Sequence, residues 1–215
     1  ILPLSMRLLE IQNNIFIGKL MGFIMILNEV IKPFYYPALY PEKFNFLNCL
    51  PLHVCNLSSL CIAGFLITNL RFFYNMSFFW GISGVLMALT QPDYPFDFPD
   101  LHFILFNISH GLLLFAICFS SITLNNRPNL KSFLDTIIYS IPIALFVLAS
   151  NLIINFYTKE TTANYWYMME FPLGENLTQY MPDPPLHIFI FMPIALALFS
   201  ITYLPFYLRD KFFSH

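Results

Sequence analysis

The sequence predicts an all-α protein, a polytopic membrane bundle of about six transmembrane helices. Hydrophobic residues make up 58% of the 215 residues and charged residues only 10%, whereas soluble domains average about 45–50% and about 25%. A membrane-spanning helix needs about 20 mostly apolar residues, and six such stretches occur. The net charge is −2 and the basic residues form no block, so we expect no nucleic-acid partner.

The six predicted spans follow one another along the chain. They are residues 15–37, 46–70, 72–90, 101–124, 136–156 and 186–208. The first is the least apolar, because it contains Lys19, Asn28, Glu29 and Lys32. We expect it to tilt, to place its lysines at the interface, or to line a protein interior. No hydrophilic stretch is long enough to fold alone, so residues 1–215 are predicted to form a single membrane-embedded domain.

The connections between spans differ in charge. If they alternate across the membrane, one side carries Arg7, Arg71, Arg127, Lys131, Arg209 and Lys211. The other side carries Lys32, Lys43, Lys159 and most of the acidic residues. The positive-inside rule then predicts that both termini are cytoplasmic, in a bacterial cell membrane or a eukaryotic endoplasmic reticulum. Because the chain begins at Ile1 rather than Met, the sequence leaves open whether a signal or helix precedes it.

Two connections on the acidic side contain many aromatic residues. Residues 91–100 alternate aromatic side chains, prolines and acids, which favours a rigid extended cap. The longer connection contains Tyr165, Trp166 and Tyr167 near its start. Tyr and Trp favour the headgroup level of a membrane, so an aromatic belt is the first interpretation. A lid over a lipid entrance is the alternative.

Cys55 and His110 are polar groups in the apolar spans. An intramembrane ionisable residue is a functional-site hypothesis by default. Each residue lies nine positions into its predicted span, counted from the same side, or roughly 13 Å along a helix. Cys55 and His110 are therefore predicted at similar depth, where a histidine can serve as base for a thiol. Packing is the alternative for Cys55, as it is for the other cysteines, and a helix–helix hydrogen bond is the alternative for His110.

Metal sites are not predicted. His53 and Cys55 are two positions apart and do not share a helical face, and no Cys-x-x-Cys, His-x-x-x-His or Glu-x-x-His pair occurs. A haem held by two of His53, His110 and His187 stays open, with only residue type in its favour. The sequence therefore predicts no metal and no cofactor.

Several motifs resemble those of YwaF-like integral membrane proteins. They occur in the family's order from about Leu50 onward: Leu50–Asn56, Phe78–Gly81 with Gly84, Leu89–Asp93, Ser109–Gly111, Asn164–Tyr165 and Tyr203–Phe206. The family includes bacterial members of unassigned function and the animal transmembrane protein 164 acyltransferase of ether-phospholipid metabolism. The animal enzyme is thought to use a cysteine and a histidine. The matching positions here are Cys55 and His110.

The resemblance implies a cysteine-dependent transacylase that moves an acyl chain from a membrane phospholipid to a lysophospholipid through a thioester on Cys55. His110 would act as the base. Donors to the oxyanion would come from among His53, Asn56, Asn107 and Gln91. Asp93 would orient a partner or bind a headgroup, with a plain helix-end role as the alternative.

Two other functions stay open. A lipid hydrolase would share the Cys55 and His110 pair but admit water to the thioester. A non-catalytic transporter or receptor would use His110, Glu29 and Asn107 to bind solute or protons, and Cys55 would then be replaceable by alanine. The sequence predicts neither the acyl-chain or headgroup preference nor the oligomeric state.

Overall fold

The described part of the chain is entirely helical and irregular, which confirms the predicted fold class. The structure is a computed structural model that describes residues 11–90, 96–159, 162–172 and 180–213. Its elements are α1 (Ile11–Leu39), α2 (Val54–Thr68), α3 (Arg71–Thr90), α4 (Leu101–Ile122), α5 (Leu130–Thr158), a 3-10 turn (Tyr165–Tyr167) and α6 (Ile188–Phe213). The predicted site residues Gln91 and Asp93 lie outside the described residues.

Four of these helices are long and apolar enough to cross a membrane: α1, α4, α5 and α6. Helix α2 has only 15 residues, or about 22 Å at 1.5 Å per residue, against a hydrocarbon thickness of about 30 Å. Helix α3 carries polar residues at Asn75, Ser77 and Ser83, and the two serines are buried in the bundle. The prediction of six helices is therefore confirmed, although α2 and α3 do not qualify as spans by length and hydropathy.

The predicted helix over residues 46–70 begins eight residues late, at Val54. Residues 46–53 form turns instead. Pro51 supplies no backbone N–H and disfavours the helical conformation of the residue before it. Contacts from the distant segment around Tyr165, described below, also hold this stretch. The prediction that residues 46–53 are helical is therefore wrong.

Helices α2 and α3 form the centre of the bundle and run antiparallel. A Cβ atom built on Gly81 would lie 3.6 Å from Ser58 Cβ, and one built on Gly84 would lie 3.2 Å from Cys55 Sγ. The Cβ atom built on Gly81 would also clash with Ile117 Cδ1 of α4. The absence of side chains at the two glycines thus permits α2, α3 and α4 to approach closely.

Helices α5 and α6 pack against α3 and carry many exposed apolar side chains. Trp80 Nε1 of α3 donates to Ser140 Oγ of α5 at 2.9 Å, and the rings of Phe79 and Phe199 lie 5.8 Å apart. Large exposed apolar residues of the two outer helices include Ile138, Leu145, Phe146, Phe189 and Ile201. A surface of this composition is suited to lipid rather than water.

One end of the bundle, here called the cap end, carries residues 40–53, 96–100 and 162–172. Tyr165 is fully buried there. Its hydroxyl donates to Leu47 O at 2.6 Å and accepts from Leu50 N at 2.9 Å, and Trp166 Nε1 donates to Leu52 O at 2.8 Å. These aromatic residues pack into the protein and hold the turns that precede α2, so the aromatic-belt interpretation is wrong for Tyr165.

Two asparagines of α5 hold the Tyr165 segment in place. Asn151 is fully buried, and its amide donates to Tyr165 O and accepts from Tyr165 N, each at 2.9 Å. One turn later, Asn155 makes the equivalent pair of bonds with Ala163, at 2.9 and 2.8 Å. The asparagines thus satisfy backbone groups of a non-helical segment, which cannot be left unpaired at membrane depth.

Asn151→Ala should destabilise the protein because it leaves the buried N–H and C=O groups of Tyr165 without partners. We expect a loss of about 2–4 kcal/mol and a fall of about 5–10 °C in the apparent Tm of the detergent-solubilised protein. Ser150→Ala is the matched control, since Ser150 is only partly buried and its hydroxyl donates to Phe146 O of its own helix. Equal melting of the two variants would show that the Asn151 contacts contribute nothing.

Candidate functional site

Cys55 is the second residue of α2, so it lies at the start of a helix and not nine residues inside one. His53 is the N-cap residue, with φ −64° and ψ 153°, and it makes no side-chain capping bond. The first N–H bond of α2 runs from Leu57 N to His53 O at 3.0 Å. The N–H groups of Val54, Cys55 and Asn56 precede that bond. Such groups carry partial positive charge and are suited to bind or stabilise an anion.

The contacts of α3 place Cys55 and His110 at the same level of the bundle. Gly81 of α3 faces Leu113 and Ile117 of α4. Tyr74, two turns earlier on α3, bonds to Ser121 further along α4, so α3 and α4 run antiparallel. Gly84 lies one turn beyond Gly81 and faces Cys55, while His110 lies one turn before Leu113. The depth argument from helix starts was wrong for Cys55, but the two residues share a level.

His110 has a defined tautomer in this structure. Its Nδ1 lies 2.8 Å from Phe106 O, and because a carbonyl oxygen only accepts, Nδ1 carries the hydrogen. In the neutral ring Nε2 then holds the lone pair and is the atom able to take a proton. Within the described residues no hydrogen bond joins Cys55 Sγ to the imidazole, and the ring lies tilted over Phe106 with centroids 4.1 Å apart.

The other predicted site residues are held in different ways. His53 packs against the rings of Tyr165 and Tyr167, at 5.0 and 5.7 Å between centroids. His53 lies outside the helices, and burial lowers its pKa to about 4, so its ring is neutral near pH 7. Asn107 Nδ2 donates to Phe103 O at 2.8 Å, within its own helix. Of His53, Asn107 and Asn56, Asn56 is the residue whose side chain bonds to another long helix.

Glu29 of α1 is the partner of Asn56, and sequence reasoning did not foresee this contact. Asn56 Nδ2 donates to Glu29 Oε2 at 2.7 Å, and Lys32 Nζ donates to Glu29 Oε1 at 2.9 Å. Glu29 is only 1% exposed. Its carboxylate and the side chains of Asn28, Ser59 and Ser109 line a small pocket between α1, α2 and α4. Asn28, Glu29 and Lys32 of the first span therefore face the protein, one of the three placements expected, whereas Lys19 is exposed.

Ligands for a metal do not converge in the described part of the chain. No group of three or more His, Cys, Asp or Glu residues is close enough there to hold an ion. Cys49, Cys55, Cys61 and Cys118 are all free. The described residues of this site offer the chemistry of a thiol, an imidazole, a helix N-terminus and a buried ion pair.

The fold and the site define a helical integral membrane protein with a free cysteine at the start of a central helix. The model of the TMEM164 family matches residues 5–203, and the chain belongs to that family. This match confirms the family resemblance of the sequence motifs. No curated protein and no solved structure matches the chain.

The contact between Cys55 and Gly84 can be tested by a double-mutant cycle. A helical Gly→Ala change normally stabilises by about 0.5–1 kcal/mol, but at Gly84 the new methyl group would press on Cys55 Sγ. We expect Gly84→Ala to lower the apparent Tm in the unsubstituted protein and to raise it in a Cys55→Ala background, a coupling of about 1 kcal/mol.

Gly111→Ala is the control for this cycle, because no atom lies within 4 Å of a Cβ built there. Its effect on the apparent Tm should be the same with and without Cys55. Additive effects of Gly84→Ala and Cys55→Ala would contradict the contact.

Proposed function

We propose that this protein is an intramembrane acyltransferase that moves an acyl chain from a phospholipid to a lysophospholipid through a thioester on Cys55. The observation that carries the proposal is the position of Cys55. Its thiol lies at the N-terminus of α2, on the same level as an imidazole whose Nε2 can accept a proton. Helix N-termini and nearby bases are the surroundings in which protein thiols become nucleophilic.

In the first half-reaction, His110 Nε2 takes the proton of Cys55 Sγ while the sulfur attacks the carbonyl carbon of a phospholipid ester. The tetrahedral intermediate collapses, its C–O bond breaks, and the departing glycerol oxygen takes the proton back from Nε2. In the second half-reaction, a lysophospholipid hydroxyl gives its proton to Nε2 and attacks the thioester. The new ester forms as the C–S bond breaks, and Sγ recovers the proton.

The attack requires Cys55 and His110 to move closer than they are in this structure. Sγ lies against Gly84, and a turn of the Cys55 side chain would bring it away from α3. Catalytic hydrogen bonds of unliganded sites are often long and tighten only when substrate binds. The absent Sγ–imidazole bond is therefore compatible with the proposal.

Backbone N–H groups at the start of α2 are the best-placed donors for the oxyanion. Of the donors predicted from the sequence, the Asn56 amide bonds to Glu29 and the Asn107 amide to Phe103 O. The N–H groups of Cys55 and Asn56, by contrast, precede the first bond of α2. Removing one oxyanion donor typically costs a factor of about 10²–10³ in rate.

Acyl transfer should depend on Cys55 and His110 and on no other cysteine. Purified protein in vesicles of a phospholipid with a labelled acyl chain, supplied with a lysophospholipid, should produce labelled diacyl product and a hydroxylamine-sensitive adduct on Cys55. We expect Cys55→Ala to abolish both and His110→Ala to lower the transfer rate at least 100-fold. Thin-layer chromatography and peptide mass spectrometry provide the two readouts.

Cys61→Ala and Cys118→Ala are the matched controls and should retain transfer, since Cys61 is more than one turn along α2 from Cys55 and Cys118 is two turns along α4 from His110. Full transfer by Cys55→Ala would refute the thioester. Release of labelled fatty acid in place of diacyl product would instead identify a hydrolase that uses the same two residues.

We further propose that both termini face the cytoplasm, as the distribution of Lys and Arg indicates. A terminal tag should then resist protease in sealed right-side-out vesicles and become sensitive only after detergent is added. Cleavage of either terminal tag in intact vesicles would contradict this orientation.

A further inference from the structure

The buried ion pair of α1 lies beside the candidate site and has no role in the reaction described so far. The side chain of Glu29 is 2% exposed and that of Lys32 is 12% exposed. One carboxylate oxygen of Glu29 bonds to Lys32 and the other to Asn56. Asn56 directly follows Cys55, so the Glu29 carboxylate connects the Lys32 ammonium to the residue next to the candidate nucleophile.

The Lys32 ammonium is separated from Asn56, the residue that follows Cys55, only by the carboxylate of Glu29. The positive charge of Lys32 favours the thiolate form of Cys55, whereas the negative charge of Glu29 opposes it. An unpaired ammonium at membrane depth would be costly, and Glu29 offsets that cost while the carboxylate itself is shared with Asn56.

We propose that Lys32 is an electrostatic positioning residue for Cys55, and that Glu29 holds the Lys32 ammonium in place through its shared bonds to Lys32 and Asn56. The positive charge stabilises negative charge as it develops on Sγ and on the acyl oxygen. The reaction this serves rests on the proposed function. The effect on the thiol does not, because it should appear in any reaction of Cys55 as a nucleophile.

Thiol reactivity separates the charge of Lys32 from its packing. Methyl methanethiosulfonate is a small, membrane-permeable reagent that reacts with thiolates, and peptide mass spectrometry measures the rate at each cysteine. Lys32→Met removes the charge and keeps the side-chain length, so we expect Cys55 to react about tenfold more slowly. Lys32→Arg keeps the charge and should stay within about threefold of the unsubstituted protein.

Cys61 is an internal reference, because it lies on the same helix but more than one turn beyond Asn56, the residue that bonds to Glu29. Its rate should be unchanged in every variant. Lys19→Met is the control for removing a lysine from α1, since Lys19 is exposed near the other end of that helix. Lys19→Met should leave Cys55 reactivity as it is.

The double variant Glu29→Gln/Lys32→Met guards against misfolding, because it leaves no buried charge unpaired. We expect Cys55 to remain at least threefold slower in this variant than in the unsubstituted protein. Cys55 reacting at the unsubstituted rate in the double variant would overturn the proposal, and so would an unsubstituted Cys55 that does not react at all.

The same variants distinguish this inference from the proposed function. Lys32-dependent reactivity of Cys55 without acyl transfer would retain the role of Lys32 and remove the acyltransferase. Acyl transfer that needs Cys55 but proceeds equally in Lys32→Met and Lys32→Arg would support the acyltransferase and exclude the role of Lys32.

Discussion

The start of α2 depends on how the backbone of residues 47–52 is satisfied. A non-helical stretch inside a membrane protein must find partners for its N–H and C=O groups within the protein. Tyr165 and Trp166 supply three of those partners, at Leu47, Leu50 and Leu52. Without these partners, a helical conformation of residues 47–52 would leave fewer backbone groups unpaired, although Pro51 would still oppose it. The aromatic segment therefore decides that Cys55 lies at a helix terminus.

Polar side chains on the inner faces of α5 and α1 likewise connect segments that lie far apart in the sequence. Asn151 and Asn155 hold the aromatic segment by its backbone, and their spacing of four residues puts both on one face of α5. On α1, Glu29 faces Asn56 and is paired with Lys32. These groups stabilise a specific arrangement of segments far apart in the sequence, which apolar contacts alone do not specify because lipid is equally apolar.

The helices could be predicted from the sequence because each is a long apolar stretch, and Cys55 and His110 could be found because polar groups are rare in such stretches. The start of α2 could not be predicted well. Pro51 is the local signal, but the contacts that hold the turns come from Tyr165, more than 110 residues away. The bond between Glu29 and Asn56 could not be predicted either. A polar residue in an apolar stretch indicates an interior position, but the sequence does not identify its hydrogen-bond partner.

The aromatic segment also carries backbone strain, which suggests why it is so extensively bonded. Trp166 and Tyr167 have φ values of 59° and 52°, in a region that costs non-glycine residues of the order of 1 kcal/mol or more each. Tyr165 N donates to Asn151 Oδ1, and the N–H groups of Met169 and Glu170 donate to Asn164 Oδ1. These bonds offset that cost. The left-handed turn directs Trp166 Nε1 to Leu52 while Tyr165 reaches Leu47. The hydrogen bonds of this left-handed turn thus hold the backbone on which the start of α2 and Cys55 depend.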